Sequence, residues 1–151
     1  MPMMMAGEVQ LTANRETVWE KLNDPDVLKV CIPGCEELVR SADNQFSAVA
    51  KMQVGPVSAR FKGRVTLSDL VPPSSYRISG EGEGGIAGFA KGVATVALVA
   101  NEAGTLLSYG VDAQIGGKLA QLGQRLISGS AKKLADEFFS RFADVVKGPP
   151  R

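Results

Sequence analysis

The sequence predicts an α+β domain in which a curved antiparallel sheet of six or seven strands wraps one long C-terminal helix. Three observations carry this expectation. From Glu37 to Ile115 apolar and polar residues alternate with period two, and turn chemistry interrupts them at regular intervals. From Lys118 to Val146 apolar residues recur at helical spacing with no proline among them. Ahead of both, the signals for two short capped helices follow an opening strand.

That opening strand is read over Glu8 to Thr12, where Val9 and Leu11 share one face. Asn14 is placed to cap a first helix with Glu16 in its first turn, and Val18, Trp19 and Leu22 form its apolar stripe. Asp24 caps a second helix with Pro25 at the favoured first position, and Pro33-Gly34 ends it after Val27, Leu28, Val30 and Cys31.

The meander is punctuated by Asp43-Asn44, Gly55-Pro56, Pro72-Pro73-Ser74-Ser75, Gly84-Gly85 and Asn101 to Gly104. Its clearest stretch is Val57 to Leu67, where Val57, Ala59, Phe61, Val65 and Leu67 alternate with Ser58, Arg60, Lys62, Arg64 and Thr66. Between Gly80 and Gly92 six residues of thirteen are glycine, with Ile86 and Phe89 among them. Such a stretch marks either a sheet bent tightly around a helix or a strand pair that leaves room for a ligand, and one geometry serves both.

After Gly116-Gly117, Lys118 to Val146 reads as one unbroken helix stopped by Gly148-Pro149-Pro150. Leu119, Leu122, Leu126, Leu134, Phe138, Phe142 and Val145 form its apolar stripe, which Ser128-Gly129-Ser130-Ala131 interrupts with small residues. This order of elements lays the helix across the covered face of the sheet, the helix-grip arrangement. Residues 3–148 read as a single domain.

Composition excludes several classes of function. The formal charge of +1 provides no general field toward nucleic acid, and the bias of the final segment toward Lys and Arg reads as solvation. Cys31 and Cys35 are the only cysteines and there is no histidine, so no Cys/His metal site is expected and the two thiols are read as free. The start has no secretory pattern, and the best apolar run, Val93 to Ala100, is too short to span a bilayer, so the expected location is the cytoplasm. Without histidine the commonest general base is missing. Glu81 and Glu83 alternate with glycines and fall on one side of a strand, read as the solvent side, so no catalytic residue is assigned.

Two stretches carry a resemblance: Ile32-Pro33-Gly34-Cys35-Glu36 and Val54-Gly55-Pro56-Val57-Ser58-Ala59-Arg60-Phe61-Lys62-Gly63. With the glycine-rich Gly82 to Gly92 and the Gly116-Gly117 pair, the chain from Gly7 to Val146 resembles the CoxG family of carbon monoxide dehydrogenase subunits. The resemblance implies the START-like, or SRPBCC, superfamily of helix-grip folds, which hold apolar ligands between sheet and C-terminal helix. It also implies a non-catalytic accessory role beside a molybdenum hydroxylase, with a quinone or lipid as the expected ligand, no covalent cofactor, and a part in bringing the enzyme to the inner face of the membrane. Longer members of the family continue into a linker and a membrane-binding tail. This sequence ends at Arg151, so at most peripheral membrane contact is expected. Some START-like relatives are polyketide cyclases or dehydratases, and such an enzyme acting on an aromatic substrate is the alternative reading. A pure assembly module with a filled core is a third.

For the expected cavity, period two selects Phe61, Val65 and Leu67 on one strand, and Val96 and Leu98 beside Ala94 on another. Leu107, Tyr109 and Val111 follow on the last strand, Phe89 lies in the glycine-rich stretch, and Leu122, Leu126 and Phe138 roof the space from the helix. Tyr109 is singled out because a buried phenol needs a hydrogen-bond partner, which a quinone carbonyl supplies. Arg60, Lys62 and Arg64 make a basic outer stripe, read as solvation and edge protection or as a dock for an acidic partner, and the expected partners are molybdenum hydroxylase subunits.

Overall fold

The computed structural model of the chain describes residues 1–147. The helix stop at Gly148-Pro149-Pro150, the domain limit at 148 and Arg151 lie outside the described residues. Seven strands form one antiparallel sheet: β1 (Pro2–Leu11), β2 (Cys35–Ala42), β3 (Gln45–Val54), β4 (Val57–Val71), β5 (Ser75–Glu83), β6 (Phe89–Asn101) and β7 (Gly104–Gly116). Their order is β1-β7-β6-β5-β4-β3-β2, so a meander of six strands folds back to pair its last strand with the first. The opening strand begins six residues before the predicted start because Pro2 to Gly7 continues in register against Tyr109 to Gln114.

Helices α1 (Arg15–Leu22) and α2 (Pro25–Cys31) follow β1. Both predicted caps form: Asn14 Oδ1 accepts the Thr17 amide at 2.9 Å and Asp24 Oδ1 accepts the Asp26 amide at 2.9 Å. α2 packs on β2 and on the terminal helix.

The terminal helix is where expectation and structure part. It is two helices, α3 (Lys118–Gln121) and α4 (Gln124–Val146), separated by a corner at Leu122-Gly123. Gly123 takes φ +89°, a conformation open to glycine and costly for other residues, so the helical hydrogen-bond ladder cannot run through it. Breaking the helix resets the phase of its apolar stripe. Ile127, Phe142 and Val146 become the buried positions of α4, and Leu126 turns outward. α4 lies closest to β1 on one side and β3 on the other, spanning the sheet's concave face.

Side chains on that inner face do not form one continuous core. One cluster gathers α1, α2 and the C-terminal half of α4 against the sheet, with Leu11, Val18, Cys31, Leu107 and Phe142 at 1% exposure or less. A second, smaller cluster joins Met3, Ala113, Ile115, Leu119 and Ile127 at the α3 end. Small domains ordinarily build a single contiguous core. Here the interior divides in two.

Candidate functional site

What lies between the two clusters is a floor almost without side chains. Strand register sets Ala48, Gly63, Gly82 and Ala90 side by side across β3 to β6. The neighbouring row runs Val65, Gly80, Gly92 and Ala113. Both rows share the parity of the buried Phe46, Leu67, Tyr76 and Val96, so they face α4. The bulk-free part is three strands wide, about 10 Å, and two same-face residues long, about 7 Å.

The floor has room for small side chains. A Cβ built on Gly63, Gly80 or Gly82 meets only atoms of β4 and β5, at 3.4 Å or more, and nothing from α4 within 4 Å. Gly92 differs: a Cβ there would collide with Asp112 and Ala113, so close approach of β6 to β7 demands glycine at that position. Ala94, Val111 and Ile78 border the floor on one side and Phe61 on the other, all half-buried. The Phe61 ring lies where a side chain on Gly84 would stand. Ala131 of α4 joins the smaller cluster and Phe138 the larger, with Leu134 and Ala135 between them.

Aromatic side chains close the site toward the larger cluster. Tyr109 stacks on Phe139 with centroids 5.2 Å apart, Phe138 stands edge-on to Phe139 at 5.0 Å, and Phe138 stacks on Phe142 at 5.9 Å. Tyr109 also leans over Gly7, whose missing side chain leaves room for the ring. Tyr76, edge-on to Trp19 at 5.2 Å, shares the inner face of β5 with Ile78 and Gly80. Burial pushes its phenol well above the ordinary value, so it stays protonated and can donate to an acceptor.

The structure places the predicted residues unevenly. Phe61, Val65, Tyr109, Val111 and Phe138 lie half-buried on the inner side, around the floor. Leu122 joins the smaller cluster at the α3–α4 corner. Leu67, Val96, Leu98 and Leu107 belong to the tightly packed cluster, at 0–9% exposure. Two expectations are overturned. Phe89 has the outward parity of β6 and covers Gly116 on the convex face, because Ala90, Gly92 and Ala94 take the inward positions. Leu126 is no roof: the corner at Gly123 shifts the helix phase, and Leu126 lies over Gly55, 37% exposed.

Sequence reasoning gave room for a ligand to the Gly80 to Gly92 stretch as one of two readings, but it missed the part of Gly63, Tyr76 and the division of the core. The alternation of Gly80 and Gly82 with Glu81 and Glu83 was the available signal, since it puts glycine in phase with Tyr76 and Ile78.

On the convex face Arg60, Lys62 and Arg64 are exposed, as expected, but they are not a uniform basic stripe. Arg60 Nε lies 2.7 Å from Glu36 Oε1, and that bond lowers the Glu36 pKa and raises that of Arg60. Lys62 stands opposite Glu83 and Arg64 opposite Glu81, which itself faces Lys91. Lys62, Arg64, Glu81, Glu83 and Lys91 line, with Phe89, a shallow outer depression of about 540 Å³. Glu81 and Glu83 therefore face away from the floor. Cys31 is buried and Cys35 half-buried, both unpaired, and burial raises the pKa of each thiol. Among the described residues no group of three or more His, Cys, Asp or Glu is arranged to hold a metal.

The sequence profile of CoxG, a carbon monoxide dehydrogenase subunit, matches residues 7–147. The chain belongs to the CoxG family. A conserved protein from Geobacillus kaustophilus of known structure is 31% identical, with 97% of this chain and 95% of that one covered and a TM-score of 0.88. More distant likenesses show the fold alone. A protein from Rhizobium leguminosarum superposes with a TM-score of 0.75 at 14% identity, covering 99% and 97% of the two chains. An aromatase/cyclase from a Streptomyces species superposes at 0.69 and 14%, covering 97% and 94%. No curated protein matches the chain. This CoxG member thus has the helix-grip fold of START-like proteins, and none of its described helices is long and apolar enough to cross a membrane.

Proposed function

We propose that this CoxG protein is a non-catalytic accessory of a molybdenum-hydroxylase system, that it holds a flat apolar molecule, a quinone or lipid, over the glycine floor, and that it helps bring its enzyme to the membrane. The observation that carries the ligand part is the divided core: two apolar clusters separated by Gly63, Gly80 and Gly82, where an added Cβ would meet nothing of α4 within 4 Å. A protein interior is ordinarily packed to crystal density, and a gap over bare backbone forfeits dispersion contacts unless something fills it.

The floor favours a planar guest. Without side chains the pleated backbone offers a face about 10 Å by 7 Å. A ring that buries about 150 Å² of apolar surface there gains roughly 4 kcal/mol. The half-buried Val65, Ile78 and Val111 supply apolar walls, and Tyr76, held protonated, is a donor for a carbonyl oxygen along the same strand face. Acid–base chemistry has little to work with in this space: Glu81 and Glu83 project to the other face, which supports a binder over a cyclase.

Native mass spectrometry and organic extraction of the purified protein test the reading. A copurifying quinone or lipid, or saturable uptake of added quinone, is the expected result. Protein that is empty and ignores quinones, or that turns over an aromatic substrate, would sink it.

A further inference from the structure

One large side chain decides where the bare floor ends. Beyond the row Ala48, Gly63, Gly82 and Ala90, strand register sets Ala50 of β3 beside Phe61 of β4. Gly84 follows Glu83, the partner of Lys62, and precedes the 3-10 turn at Ile86 (Gly85–Ala87), so it continues this row next to Phe61. Its amide donates to the Gly88 carbonyl at 2.9 Å, which extends the row to Gly88. Ala50, Gly84 and Gly88 carry no bulk, and Phe61 alone fills the row. At the opposite end of the floor the next row holds Leu67, Ile78, Ala94 and Val111, three of them large. Change at one residue therefore moves one boundary and leaves the other in place.

The Phe61 ring is seated clear of the floor. A Cβ on Gly84 would stand 2.7 Å from Phe61 Cε1 and 2.9 Å from its Cδ1, whereas a Cβ on Gly63 or Gly82 meets no atom of the ring within 4 Å. The missing side chain of Gly84 is thus what lets the ring lie to one side. Two other rings are seated in the same way, Tyr109 over its cross-strand partner Gly7 and Phe89 over its partner Gly116. A ring over a facing glycine covers strand backbone. Phe89 does so on the convex face and Tyr109 beside the larger cluster, so of the three only Phe61 borders the bare rows. Phe61 is half-buried and packs on the smaller cluster with Ala90 and Leu122, at the line where that cluster meets the floor.

We infer that Phe61 sets the size of the guest this floor accepts and that Gly84 positions its ring. The inference rests on the reading of a flat guest over the floor and names the side chain that limits it. Truncation of Phe61 to alanine adds a third bare row, about 7 Å of strand, at this end alone. A larger ring system then fits, and a smaller one loses its stop.

Equilibrium dialysis against three quinones of increasing size tests it: duroquinone with a single ring, dimethylnaphthoquinone with two fused rings and methylanthraquinone with three. The parent is expected to prefer the two smaller quinones. Phe61→Ala should shift the ratio of affinities toward methylanthraquinone by at least about tenfold, and Phe61→Leu, which keeps bulk in the cluster, should shift it the same way by less. Gly84→Ala, whose methyl group takes the ring's place and drives the ring from its seat, should weaken binding of dimethylnaphthoquinone at least about fivefold. Once Phe61 is alanine, the same substitution should have no further effect, because no ring remains to be displaced. A ring that merely shielded the Gly84 backbone would change the melting temperature and leave the ratio alone. A parent that binds the smaller quinones, with the ratio unmoved in both Phe61 variants, overturns the inference and leaves the ligand reading standing. Additive effects of the two alanine substitutions overturn the role of Gly84. A parent that binds none of the three quinones removes the guest and the size limit together.

Discussion

The two clusters of this molecule use the same sheet in opposite ways. Around Phe142 the inward positions of the strands carry Phe46, Leu67, Tyr76, Val96 and Leu107, and three helices press on them until exposure falls below 10%. Four residues further along the same strands, the inward positions carry Gly63, Gly80 and Gly92, and a Cβ built on Gly63 or Gly80 meets nothing of α4 within 4 Å. Folding free energy is concentrated where large side chains meet, and room for a guest is left where they are absent. A helix-grip domain can thus pack one end of each strand tightly and leave the other with little side-chain bulk.

Removing bulk from the packed end is the most damaging way to probe that division. Phe142 is fully buried and stacks on Phe138, so Phe142→Ala should cost about 3–5 kcal/mol, enough to unfold most of a marginally stable domain at 37 °C. Urea denaturation followed by Trp19 fluorescence measures this. A loss below about 1 kcal/mol would show that the cluster is loosely packed and that the contrast between ends is false.

Next in size is a paired test of the helix corner. Ile127→Ala should cost about 2–4 kcal/mol, whereas Leu126→Ala, one residue earlier but turned outward, should cost less than about 1 kcal/mol. Were the helix continuous from Lys118, Leu126 would share the stripe with Leu119 and Leu122, and the two values would reverse. Melting temperatures of the two variants decide it.

At the open end the experiment runs the other way, by adding bulk. A Cβ on Gly82 makes only ordinary contacts, the nearest at 3.6 Å, so Gly82→Val should fold with stability within about 1 kcal/mol of the parent, since valine favours strands. It should nevertheless weaken quinone uptake at least about tenfold, because two methyl groups then stand on the floor. Isothermal titration with a soluble quinone analogue, beside a melt, separates the outcomes. Unchanged affinity would move the ligand elsewhere, and the outer depression around Lys62 and Phe89 would become the place to look.

How far all this could be read from the residues follows from the range over which each signal acts. Strand alternation, the Asn14 and Asp24 caps and the turn dipeptides are local, and each appears where period and capping chemistry put it. The corner at Gly123 was missed because an isolated glycine in a helical pattern is often tolerated, and α3 beyond the corner packs on β7 and the Ile86 turn, partners distant in sequence. Phe89 was misplaced for a related reason: in Gly88-Phe89-Ala90 no alternation of size tells inward from outward, and only the pairing with β7 fixes the parity. The floor depends on register across four strands. Gly63, Gly80, Gly82 and Gly92 are scattered over thirty residues of sequence and meet only when the strands align.

The smallest expected effect concerns pH and again divides the ends. Cys31 and Tyr76 both sit in the packed cluster, where burial raises the pKa of each, with Arg141 acting against the shift at Cys31. A group whose folded pKa is raised favours the folded state fully below its unfolded pKa and loses that contribution as pH climbs from the unfolded toward the folded value. For Cys31 the decline begins near its ordinary value of 9.0. Tyr76 follows from near 10.0. Melting temperature should therefore hold level from about pH 6 to 8 and fall above about pH 9, at roughly 2–4 °C for each kcal/mol lost in a chain of this size. Cys31→Ala should flatten the first part of the decline without touching the second. A melt that keeps its slope after that substitution would mean the thiol is less enclosed than its 0% exposure indicates, and that the packed end breathes as freely as the open one.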